Sequence, residues 1–251
     1  PRQPLGEALL VTGLVILTHR ALSLGESFLI GSFDDDGVYT ALGKALADGK
    51  GYHSIHLVGA PVQVKYPPGW PMVLALLWRF MGSAEGVLRA VQWLNPLAVA
   101  ATAGILWVLA RGPGRSEWGP ALLLLVTPLL LDPVIQYTAI PLVEPWFMLG
   151  WAGALLAWSS VKDSGEKPSG GILALAAFLV AVTVLFRTQA IVLVPALLFA
   201  LWRCKPGRIP SLVAVAALLL PLALWTVYHH ALIAQGPVAD LPDEKPYTTW
   251  V

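Results

Sequence analysis

Long apolar runs set the solvent of this chain before any other feature does. Ala8–Leu17, Leu94–Ala110 and Gly171–Phe186 contain no charged residue, and segments of this kind have hydrocarbon as their surroundings. Only 12% of the 251 residues are charged, against about 25% in an ordinary soluble domain. The charge needed to coat a water-facing surface is missing, which excludes a soluble globular enzyme and points to an all-α polytopic membrane protein. The balance of 16 Lys and Arg against 15 Asp and Glu gives no field for collecting nucleic acid. Cys204 is the one cysteine, so no intrachain disulfide or cysteine-based metal site can form.

A helix needs about 20 apolar residues to cross roughly 30 Å of hydrocarbon. Charges, prolines and glycines then divide the chain into seven expected spans, near 5–24, 84–110, 118–132, 139–160, 171–186, 188–203 and 209–228. The whole is expected to be a single transmembrane domain with an outer loop over 25–83. Within that loop Ala41–Ala47 has a helical pattern. Trp70–Met81, too short to cross and preceded by Tyr66-Pro67-Pro68-Gly69, is expected to be an interfacial or re-entrant helix. The start at Pro1 and the polar stretch Asp240–Val251 are expected to be cut ends of a longer protein, not a signal peptide and a true terminus.

Basic residues are retained on the cytoplasmic side of short loops. Arg111 and Arg115, Lys162 and Lys167, and Arg203, Lys205 and Arg208 follow the second, fourth and sixth spans. These loops are therefore expected inside, with the N-terminus. Eleven of the fifteen acidic residues then fall at or beyond the outer boundary, where a functional site is expected.

The densest chemistry lies in the first outer loop, at Ser32-Phe33-Asp34-Asp35-Asp36-Gly37-Val38-Tyr39. Three adjacent carboxylates repel one another, so one of them needs a cation, a basic partner or a raised pKa and is suited to act as a base. The same residues also suit a helix N-terminus, where Asp caps and complements the dipole. Lys65 stands where an ammonium would meet a phosphate at headgroup level or simply snorkel to the interface. Glu144 and Arg187 lie at the outer ends of expected spans, where a charge is costly and marks function. Arg187 is suited to grip a phosphate bidentately or to neutralise Glu144. His53, His56, His229 and His230 have no trustworthy metal-ligand spacing, and no metal ligand is assigned. The Asp34–Asp36 cluster offers oxygen ligands to a divalent cation.

Taken in order, an acidic pair after the first span, a Tyr three residues on, an Ala-rich helix, Gly49-Lys50-Gly51-Tyr52 and Tyr66-Pro67-Pro68-Gly69-Trp70-Pro71 resemble the N-terminal half of GT-C type glycosyltransferases. Within that class the pattern resembles the bacterial protein O-mannosyltransferase and aminoarabinose transferase superfamily. Glu144-Pro145 and Arg187-Thr188-Gln189 fit the same pattern, so the resemblance runs over about residues 5–203. It implies a GT-C-like bundle in the plasma (inner) membrane of a bacterium, and a sugar arriving on a polyprenyl phosphate. It makes Asp35 the catalytic carboxylate, with Asp36 beside it and Asp34 as the register-shifted alternative. Lys65, Tyr39, Tyr66, Glu144 and Arg187 are the implied substrate-binding residues. Here Tyr66 separates Lys65 from the proline that directly follows a lysine in the aminoarabinose transferase pattern. Family members are also longer, with further spans and often a soluble C-terminal domain.

Two other classes compete with this reading. A non-catalytic subunit of a larger membrane complex would keep the bundle without needing three Asp beside a Pro-Pro turn. A secondary transporter would place its ionisable residues near the bilayer midplane, whereas here they gather at the outer boundary.

Overall fold

The computed structural model describes residues 11–16, 18, 30–31, 34–110, 132–163, 170–204 and 207–234. Within these residues the chain is helical: α1 (Asp34–Ala47), α2 (Gly69–Met81), α3 (Ala84–Ala110), α4 (Asp132–Ala139), α5 (Glu144–Asp163), α6 (Gly170–Phe186), α7 (Leu193–Cys204) and α8 (Arg208–Ile233). A 3-10 turn over Thr188–Val192 joins α6 to α7, and residues 11–16 are also helical. Among the described residues, extended pairing is limited to one antiparallel bridge between His53 and Val62.

Two helices, over Ala84–Leu109 and Arg208–Ile233, are long and apolar enough to cross a membrane. They coincide with the expected spans at 84–110 and 209–228. The span expected at 171–186 is α6, which has 17 residues. The one expected at 139–160 begins later, at Glu144. A proline disfavours helical geometry in the residue before it and cannot donate to a preceding turn. Pro141 and Pro145 therefore separate α4 from α5 by a bend over 140–143. The span expected at 188–203 divides into the 3-10 turn and a 12-residue helix, which rises about 18 Å at about 1.5 Å per residue. The expected span at 118–132 lies outside the described residues apart from Asp132, and the one at 5–24 is described only in its middle.

Side-chain size is distributed across the bundle in an unusual sense. The buried interface of α5, α6 and α8 is rich in small residues, namely Ala154, Ala157, Ala176, Ala177, Ala181 and Ala214. Gly150 of α5 lies directly against the Thr183 side chain of α6. Large apolar side chains such as Phe178, Leu212, Leu220, Leu224 and Val227 face outward. Small residues let backbones approach closely where packing, and not water exclusion, holds helices together.

A second cluster caps one end of this bundle. Tyr39 and Leu42 of α1, Trp70 and Leu74 of α2, Val87 and Val91 of α3, and Leu232 of α8 pack there with Tyr52, Val62 and Tyr66 of the α1–α2 loop. Two glycines make the close contacts. A Cβ at Gly43 would stand 2.6 Å from the Leu74 Cβ, and one at Gly69 would stand 2.7 Å from the Leu185 carbonyl oxygen. The α1–α2 unit thus rests on the ends of α6 and α8, where the expected site residues converge.

Candidate functional site

The acidic tripeptide forms the first turn of α1, where unsatisfied N–H groups and the helix dipole favour carboxylates. Its members have different surroundings. Asp36 is fully buried, and its Oδ2 accepts a hydrogen bond from the Gly31 N–H at 2.8 Å. Asp35 is half-buried, and its Oδ1 accepts from the Tyr66 hydroxyl at 2.5 Å. That bond spans 31 residues and ties the start of α1 to the double-proline turn. The Asp34 side chain lies outside the described residues.

Tyr66 is the hub of the expected set. Its ring meets Tyr39 edge-on with centroids 5.0 Å apart, and the Lys65 ammonium lies 5.1 Å from its centroid. Asp35, Tyr39, Lys65 and Tyr66 therefore form one group, brought together from α1 and the loop. Beside it is a cavity of about 270 Å³ lined by Lys65, Tyr66, Pro67, Leu185, Thr188 and Trp225, among others. Leu185 and Trp225 also wall a second, apolar cavity of about 400 Å³, which reaches Leu46, Met72, Leu224 and Tyr228.

Glu144 and Arg187 meet each other. Arg187 Nη1 donates to Glu144 Oε1 at 2.5 Å, with side chains 22% and 32% exposed for Glu144 and Arg187 respectively. The guanidinium neutralises the carboxylate, which is the structural alternative foreseen for it. Glu144 Oε2 is buried and without a partner among the described residues. An aromatic stack carries this pair to the Tyr66 loop: Trp70 lies 5.9 Å from Trp146, and Trp146 lies 6.2 Å from Phe186. Thr188, next to Arg187, lines the cavity that holds Lys65.

Several residues that frame the site were given no role from the sequence. The Tyr52 ring is fully buried, and burial pushes its hydroxyl well above the usual phenol range, so it stays a donor. Asn95, fully buried in α3, donates to the Ile140 carbonyl at 2.9 Å and accepts from Trp146 Nε1 at 2.9 Å. An Asn-Pro step inside an apolar run was the available signal for it. Further out, Asp48 is held below the usual carboxylate range by its hydrogen bond from Lys44. Among the described residues, no three His, Cys, Asp or Glu are grouped to hold a metal ion.

Comparison of the chain with family models, curated proteins and solved structures finds no match.

Proposed function

We propose that this chain is the core of an integral membrane glycosyltransferase that moves a sugar from a polyprenyl phosphate to an acceptor hydroxyl at the outer face. The observation that carries the proposal is the convergence of Asp35, Tyr66, Tyr39 and Lys65 on one group beside a cavity. Outward-facing Leu, Val and Phe side chains on α6 and α8 support an embedded bundle. The sequence pattern supports seven spans, a cytoplasmic N-terminus and a bacterial inner membrane.

In the reaction, the acceptor oxygen attacks the anomeric carbon while its proton passes to Asp35. The bond from that carbon to the phosphate oxygen breaks, and the lipid phosphate leaves with the electron pair. A carboxylate offers about four lone-pair sites, so the bond from Tyr66 leaves capacity for the acceptor hydroxyl, and a base in reach of that proton speeds the step. Charge building on the phosphate needs a cation. Lys65, on the cavity wall, supplies it, while Arg187 pairs with Glu144. That pairing favours the second reading, a non-catalytic subunit whose ionic pairs only hold the fold. Asp35→Asn in the complete membrane protein separates the two readings. The transferase loses about a hundredfold in rate, with the folded protein recovered unchanged. Equal transfer by Asp35→Asn and wild type removes Asp35 from the chemistry.

A further inference from the structure

The Tyr66 hydroxyl reaches Asp35 only if the backbone over 65–67 is held in place, and two prolines follow Tyr66 directly. Pro67 and Pro68 have no N–H to donate, so the turn cannot be closed by hydrogen bonds from its own central residues. Pro68 is engaged downstream, accepting the Met72 N–H at 2.9 Å as α2 begins. The carbonyls of Tyr66 and Pro67 are instead met by one side chain from the other arm of the loop. The Tyr52 hydroxyl stands 2.9 Å from the Tyr66 oxygen and 3.0 Å from the Pro67 oxygen, so its single proton is shared between them.

Tyr52 is itself fixed from three directions. Gly49 and Gly51, at φ of 73° and 76°, reverse the chain after α1 in a conformation that glycine adopts without strain. The Tyr52 ring packs edge-on against Trp225 of α8 with centroids 5.1 Å apart. Its carbonyl accepts the Gln63 N–H at 3.0 Å, next to the His53–Val62 bridge. Gln63 completes the frame, because its Oε1 accepts the N–H groups of Val64 and Lys65 at 2.9 and 2.8 Å. Gln63 thus sets the chain up to Lys65, and Tyr52 sets it from Tyr66 onward.

We propose that Tyr52 is a positioning residue: through the Tyr66 and Pro67 carbonyls its hydroxyl holds the Tyr66 hydroxyl on Asp35 and Lys65 at the cavity. The catalytic consequence rests on the transferase reading, whereas the positioning itself does not. Misplacing a catalytic group by about 1 Å costs on the order of a hundredfold, so a residue that sets this loop governs rate.

The test uses Tyr52→Phe, which keeps the buried ring and deletes only the hydroxyl, in the full chain in lipid nanodiscs. A 3-fluorotyrosine placed at 66 reports the hydroxyl's surroundings by ¹⁹F NMR, and Asp35→Ala, which leaves no side-chain acceptor for that hydroxyl, supplies the reference signal for the lost bond. The expected result is that Tyr52→Phe moves the signal toward that reference. In transfer assays kcat is expected to fall about a hundredfold with KM little changed, and adding Tyr66→Phe is expected to cost almost nothing more, because residues acting through one contact are not additive. An unmoved ¹⁹F signal in folded Tyr52→Phe overturns the proposal, as does full additivity of the two substitutions. A moved signal in a protein that transfers no sugar upholds the positioning and rejects the transferase reading. If Tyr52→Phe does not assemble, Gln63→Met, which removes the acceptor for the Lys65 N–H, is expected to move the same signal, and an unmoved signal there overturns the proposal.

Discussion

Replacing Asn95 with leucine should loosen the joint between α3 and α5. The leucine is close in size, so the change is chiefly one of hydrogen bonding. It strands the Ile140 carbonyl and Trp146 Nε1–H, each bound to the amide at 2.9 Å. The 3.4 Å approach to the Tyr137 carbonyl is too long to add much. Two stranded buried groups would cost about 2–6 kcal/mol in a water-soluble core. Inside a membrane the unfolded reference also finds partners, and interhelical bonds average about 0.6 kcal/mol each. Asn95 lies in the cap at the bundle's end, between those limits, so we expect a loss of about 2 kcal/mol. Trp146→Phe removes one stranded donor, and in the Asn95→Leu background it should recover part of the loss, with a coupling of about 1 kcal/mol. Reversible unfolding in mixed micelles measures the four members of this cycle. Additivity within about 0.3 kcal/mol, or a gain in stability for Asn95→Leu, would refute the account of this joint.

Three further outcomes follow from particular contacts. Gly43→Val should destabilise the protein by about 1–3 kcal/mol through overpacking, seen as a lower unfolding temperature, because even a Cβ meets Leu74 at 2.6 Å; Gly49→Ala meets open space and should lose about 1–2 kcal/mol to its positive φ alone. Arg187→Ala should destabilise the protein by about 1–2 kcal/mol, the cost of stranding a partly buried carboxylate discounted for its exposure, and Glu144→Ala added to it should restore part of the loss in chemical unfolding. For Tyr52, burial favours the protonated phenol in the folded state. Its contribution is complete below the unfolded pKa of about 10 and is lost as pH rises beyond it, so wild type should lose stability above about pH 10 more steeply than Tyr52→Phe in pH-dependent melting curves.

The long regular elements were legible in the sequence because their boundaries are chemical. Glu85 opens α3, and Phe186 ends α6 where Arg187 interrupts the apolar run. The short helix after the double proline appeared where a breaker-rich stretch gave way to Trp70–Met81, and α2 begins one residue earlier. The start of α5 was misplaced because the apolar run over 139–143 conceals a bend set by Pro141 and Pro145. Periodicity also cannot tell a 3-10 turn from the start of a helix, as at Thr188–Val192. In the site, Asp35, Lys65 and Tyr66 could be chosen by residue type, whereas their union through a bond spanning 31 residues is a tertiary fact. Tyr52 stood in the Gly-x-Gly-Tyr stretch without a role, and Gln63 was not singled out, for the same reason. A tyrosine hydroxyl becomes a clamp only when the fold brings two carbonyls within its reach.

The most direct test of the proposed activity is transfer of labelled sugar from a panel of polyprenyl-phosphate donors in right-side-out vesicles carrying the complete protein. The account predicts that at least one donor is consumed from the outer side, that the label appears on an acceptor, and that free polyprenyl phosphate accumulates in step with it. A folded protein that consumes no donor and purifies bound to partner subunits would contradict the account and make this bundle a structural component of a larger membrane assembly.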